Sequence, residues 1–131
     1  MQVQNQEDCD RLLERFYGFC DGLIRSIVVR YLDDGTRNLQ MEVSTRDCKE
    51  LENEGWVCVQ LTVSNVQDFC IRENAKTTIQ VLSEGIHVRR IADTVCIEFG
   101  GALETLQSLD SFRSADAFAI GSELDFVIGP Y

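Results

Sequence analysis

Apolar and polar residues alternate along much of this chain, and the period changes early. Between residues 6 and 20, Leu12, Leu13, Phe16, Tyr17 and Cys20 recur at three- and four-residue spacing, with Phe19 widening the face. That period predicts an amphipathic helix. Glu7, Asp8 and Asp10 gather in its first turn, where carboxylates suit the positive end of the helix dipole. Gly22 is placed to end it as a left-handed C-cap.

From residue 23 the period drops to two. Residues 23–32 form an apolar run that reads as a strand covered on both faces. Asp34-Gly35 predicts a tight hairpin turn with positive φ angles, and residues 39–45 the return strand. A polar interruption, RDCKELENEG, occupies residues 46–55. Residues 56–64 then give the clearest alternation, Val57, Val59, Leu61 and Val63 against Cys58, Gln60, Thr62 and Ser64. Further strands are expected at 66–72 and, less clearly patterned, at 77–82. A second hairpin is expected from 86–91 and 95–99, turning at Ala92-Asp93-Thr94. Gly100-Gly101 breaks the pattern, 103–109 reads as two helical turns, and 117–120 and 124–128 as extended chain. The whole predicts one α+β, mainly β domain spanning residues 1–131. Its N-terminal helix packs on a curved antiparallel sheet of six to eight strands.

Charge narrows the partners. The net charge is −10 over 131 residues, with 12 acids and 7 bases in residues 1–65 and 10 and 5 in 66–131. An acid excess spread this evenly opposes binding to nucleic acid or an anionic membrane and steers basic partners inward. No run approaches the ~18 apolar residues of a membrane span. The N-terminus, MQVQNQEDCDRL, is polar and acidic and lacks the apolar stretch of a secretory signal. Six cysteines without C-x-x-C spacing, beside one histidine, predict reduced thiols in a cytoplasmic protein, with no metal site.

Chemistry-bearing motifs are missing. His87 lies in the strand pattern IHVRR, with no motif supplying a nucleophile and an orienting acid. Phosphate-binding glycine loops and a G-x-S-x-G elbow are absent. No catalytic residue and no cofactor is therefore expected. The candidate partner-binding segment combines Glu50, Glu52 and Glu54 with Trp56, since acidic rims steer basic proteins and tryptophan often anchors interfaces.

Phe19-Cys20-Asp21-Gly22, followed by Ser26-Ile27, has the form F-x-D-[GA] before an apolar strand. With Gly55-Trp56, QVLSEGIHV at 80–88 and DTVCIEFG at 93–100, it resembles a group of small bacterial β-sheet proteins. These are similar to immunity proteins of polymorphic toxin systems. The resemblance implies a non-catalytic protein that binds and neutralises a basic toxin. Within the motif, Phe19, Asp21 and Gly22 are expected to be structural, Asp21 accepting backbone N–H bonds where helix becomes strand. The alternatives are a structural or regulatory homo-oligomeric module, dimerising through a sheet edge, and an enzyme without a recognisable motif.

Overall fold

A computed structural model describes residues 1–73, 76 and 78–131. The chain opens with a two-residue strand, β1 (Gln2–Val3), and the helix α1 (Gln6–Arg15). Asn5 caps α1 by accepting the Asp8 N–H at 2.8 Å, and Asp8 returns a bond to the Gln4 N–H at 2.9 Å. The first bond satisfies a helix-end N–H that would otherwise lack a partner, and the second ties the residue before the cap to the first turn. The helix is shorter than its apolar period predicts. Tyr17, Gly18 and Phe19 take positive φ (54, 66 and 61°), so the chain leaves α1 through a left-handed turn. Phe16 and Phe19 still reach the core, both fully buried with ring centres 5.3 Å apart.

Gly22 does not cap the helix. It begins β2 (Gly22–Tyr31), and a Cβ there would lie 3.0–3.2 Å from Phe19 O, Ser44 O and Val43 Cγ1. Close backbone approach, not a left-handed φ, is what calls for glycine there. β2 pairs with β3 (Arg37–Arg46) in a hairpin whose turn has one positive-φ residue, Gly35 at 87°. Leu32 O accepts the Gly35 N–H at 3.0 Å, and Asp34 ties the turn by accepting the Thr36 N–H at 2.9 Å. β4 (Trp56–Ser64) follows, with every second residue buried, as its alternation predicts.

The remaining strands are β5 (Asp68–Ile71), β6 (Val81–Leu82), β7 (His87–Ile91), β8 (Thr94–Glu98), β9 (Ala117–Gly121) and β10 (Glu123–Gly129). The strand expected at 77–82 is reduced to β6, and position 77 lies outside the described residues. The helical turns expected at 103–109 are not formed. A short helix, α2 (Leu109–Arg113), begins instead at a Ser108–Ser111 capping box.

The single curved sheet expected from the sequence is replaced by two sheets, neither strongly curled. One has the order β1-β10-β4-β3-β2-β6 and the other β5-β9-β8-β7, with every pairing antiparallel. Two of the crossings between the sheets are neighbouring corners. After β4 the chain turns at Asn65 (φ 52°) and enters the other sheet as β5. After β9 it crosses back at Gly121-Ser122, where Ser122 N–H bonds Ser64 O at 2.9 Å. A Cβ on Gly121 would sit 2.5 Å from Ser64 O, so only glycine fits the crossing. Bending is concentrated in these corners, as in sandwiches whose strands switch sheets, and the sheets need not curl.

The main core lies between the sheets, joining Leu39, Met41, Val59 and Leu61 to Val95, Ile97, Phe99 and Ala119. The four-stranded sheet has a second apolar face, where Cys96, Phe118 and Ile120 meet Leu106 and Phe112 beneath α2. β8 and β9 are thus buried on both faces. At the edge of that sheet, Gln6 of α1 accepts the Arg90 N–H at 2.9 Å.

Candidate functional site

Two left-handed turns face one another across a cleft of about 600 Å³. The first is the exit from α1. Its shape is locked by Gly85, which has φ +74° and whose added Cβ would lie 2.3 Å from Gly18 O; Ile86 N–H bonds that same oxygen at 3.0 Å. Asp21 extends the strained stretch with φ 62°, and its N–H donates to Leu82 O at 2.7 Å. Non-glycine residues with such φ values cost of order 1 kcal/mol each and gather at functional sites. The second turn comprises Asn53, Glu54 and Gly55, with φ of 53, 57 and 88°.

This second turn belongs to the predicted polar interruption, which folds as a closed loop. Asp47 N–H donates to Gly55 O at 2.8 Å, Glu50 N–H to Asp47 O at 3.1 Å, and Gly55 N–H to Glu52 O at 2.9 Å. The loop is fastened to α1 by Arg15, whose Nε and Nη2 each donate to an Asp47 carboxylate oxygen at 3.0 Å. Burial pushes the Asp47 carboxyl up. The bonds from Arg15 and the Lys49 amide, with the charges of Arg15 and Lys49, outweigh that and hold it below its ordinary value. The same hydrogen bond raises Arg15.

Most of the predicted partner-binding residues converge here. Glu50, Glu54 and Trp56 line the cleft together with Asp21; Glu52 is exposed but does not line it. Trp56 is more occupied than an open anchor would be. Arg46 lies over its ring at 5.5 Å, Tyr131 packs at 5.8 Å between centres, and Arg25 lies over Tyr131 at 5.9 Å. The F-x-D-G motif divides by role. Phe19 is core, Gly22 lies against Ser44 O, and Asp21 turns toward the cleft. Among the described residues, no donor meets the Asp21 carboxylate, so its tie to the junction runs through the backbone.

Residues not named as partner-binding from the sequence also meet here, namely Tyr17 and Cys20, read there as helix face, and Arg46, Cys48 and Leu51 of the segment that carries the glutamates. Cys20 and Cys48 are the two exposed cysteines among six free thiols. Burial pushes Cys9 up to about 11 and also raises Cys96 and Cys58. Long-range ties between α1 and the loop bring Tyr17, Cys20 and the loop together, the Arg15–Asp47 pair and the Cys48 N–H bond to Arg15 O at 3.0 Å, and no local spacing encodes them.

His87 lies away from this cleft. Its Nδ1 is 2.7 Å from Oε1 of Glu98, whose side chain is fully buried. The other Glu98 oxygen accepts the Gly100 and Ala102 N–H groups at 2.6 and 3.1 Å. A carboxylate with all these partners fastens the chain after β8. Among the described residues, no group of three or more His, Cys, Asp or Glu could hold a metal ion. No described helix is long and apolar enough to cross a membrane. No family model, curated protein or solved structure matches the chain.

Proposed function

We propose that this chain is a non-catalytic protein-binding domain that neutralises a basic protein, in the manner of an immunity protein acting on a toxin in the cytoplasm. The observation that supports this most is the meeting of Asp21, Glu50, Glu54 and Trp56 around one cleft, although they come from segments about 30 residues apart. Carboxylates on a chain of net charge −10 speed the encounter with a basic surface. They also exclude the nucleic acid that a basic nuclease would otherwise hold. The cleft reads as a docking surface, because its charged groups either brace the loop, as Asp47 does, or face solvent.

The test is affinity capture from the source lysate at low and high salt, alongside the variant Glu50→Gln/Glu52→Gln/Glu54→Gln. A basic protein retained by wild type at low salt, released at high salt and lost by the variant is the expected result. Equal capture by both chains, or capture indifferent to salt, contradicts the reading. A second reading, a homo-oligomeric module, is favoured by a different feature. From Ser26 to Tyr31, no strand among the described residues pairs with the side of β2 away from β3, and Val28 and Tyr31 are exposed there. Light scattering that shows a concentration-dependent mass, abolished by Val28→Lys, would favour this module.

A further inference from the structure

Leu51 is 95% exposed, more than any other large apolar side chain among the described residues. It sits in the loop from Asp47 to Gly55, between Glu50 and Glu52. A leucine on a mobile loop folds back onto whatever apolar surface is near. This loop is braced against that. Glu50 Oε1 accepts the N–H of Leu51 itself at 2.9 Å and that of Glu52 at 3.0 Å. Below it, the Asp47–Gly55 and Glu50–Asp47 backbone bonds close the loop, and Arg15 clamps Asp47. The chain of bonds runs from α1 to the Leu51 amide, and the side chain is held outward.

We propose that Leu51 is the apolar anchor of the protein interface, and that its partner presents apolar side chains flanked by lysine or arginine. The proposal rests on the reading of the cleft as the docking site for a basic protein, and it names the contact. Charge decides the flanks. Glu50, Glu52 and Glu54 surround the leucine in sequence, and Asp21 faces it from across the cleft. An apolar centre inside a charged rim is the usual anatomy of a protein interface. An anionic surface, whether nucleic acid or acidic lipid, would be repelled by the same carboxylates. A loop already held in its binding shape loses little conformational freedom on association, so an exposed anchor on a braced loop is a favourable place to concentrate affinity.

The probe is a displayed library of random twelve-residue peptides selected on the wild-type protein. Selected peptides are expected to combine lysine or arginine with apolar residues. Their affinity should fall at least tenfold for Leu51→Asp, and also for Glu52→Gln/Glu54→Gln. Because Leu51 touches little of its own protein, Leu51→Asp should keep the wild-type circular dichroism spectrum and urea midpoint, which separates lost binding from lost folding. Basic peptides that bind wild type and Leu51→Asp equally, yet are lost by the glutamate variant, overturn the anchor and leave the basic partner standing. Selected peptides without basic residues overturn the basic partner. Failure to find any peptide that distinguishes wild type from Leu51→Asp overturns the anchor.

Discussion

At the scale of single residues, the pair Arg15–Asp47 joins α1 to the loop that carries the candidate site. The Asp47 side chain is 4% exposed and that of Arg15 22%, so solvent screens the pair weakly. Asp47→Asn should cost about 2 kcal/mol at pH 7, the scale of hydrogen bonds to charged groups. The pH dependence follows from the direction of the shift. The folded-state pKa of Asp47 lies below its unfolded value, so this contribution is fully present above the unfolded pKa. It is lost as pH falls through the folded one. Urea unfolding from pH 7 down to about pH 3, starting above the ordinary Asp pKa of about 3.9, should therefore show wild type and Asp47→Asn converging. A gap that stays constant would mean the carboxylate's charge contributes nothing. The cysteines give an independent residue-scale test. Iodoacetamide reacts with thiolates, so peptide mapping at pH 8 should find Cys20 and Cys48 labelled first. Cys9, raised to about 11 by burial, and Cys96 should be labelled only on unfolding. Early labelling of Cys9 would contradict the packing of α1.

At the scale of elements, period-two alternation was legible wherever one strand face was wet, as in β4, and the second hairpin was legible from its turn. The exit from α1 was not. Apolar spacing continues through Tyr17 and Phe19, so periodicity alone extends the helix, whereas the chain reaches the same core positions by reversing its hand at Gly18. A left-handed turn of this kind depends on a neighbour far along the chain. Gly85 supplies the room, and nothing near Gly18 in sequence announces it. Comparing two glycines tests that dependence. Gly35 has φ +87° with open space around it, so Gly35→Ala should cost only about 1 kcal/mol, the backbone penalty. Gly85→Ala adds a methyl 2.3 Å from Gly18 O, and should cost about 3 kcal/mol as the turn gives way. Equal costs by urea unfolding would mean that the Gly18–Gly85 contact does not hold the turn.

At the scale of the whole molecule, the sequence shows how much charge there is but not where it gathers. Glu50, Glu54 and Trp56 were legible as a local cluster. Their meeting with Asp21 was not, because it depends on α1 and the loop being clamped together across 32 residues by Arg15 and Asp47. Likewise, the sequence pattern predicts six to eight strands where the described residues form ten, and their division into two sheets depends on crossings, such as those at Asn65 and Gly121, that resemble ordinary turns. The net charge of −10 has a consequence for the entire fold. Like charges repel one another more in the compact state than in the unfolded chain, and salt relieves that repulsion. Opposing this, salt weakens attractive pairs, but Arg11–Glu7, Arg72–Asp116 and Arg113–Asp68 are exposed and contribute little. Arg15–Asp47 is sheltered. Relief of repulsion should therefore win. Raising sodium chloride from about 10 to about 150 mM shortens the screening length from about 30 to about 8 Å, which should raise Tm by a few degrees. Scanning calorimetry across that range checks this, and a falling Tm would mean that attractive pairs dominate. The sign also bears on binding. Salt that stabilises the chain while releasing a basic partner cannot act by unfolding the site, so opposite responses of Tm and association rate would place the salt effect on the encounter between the two surfaces.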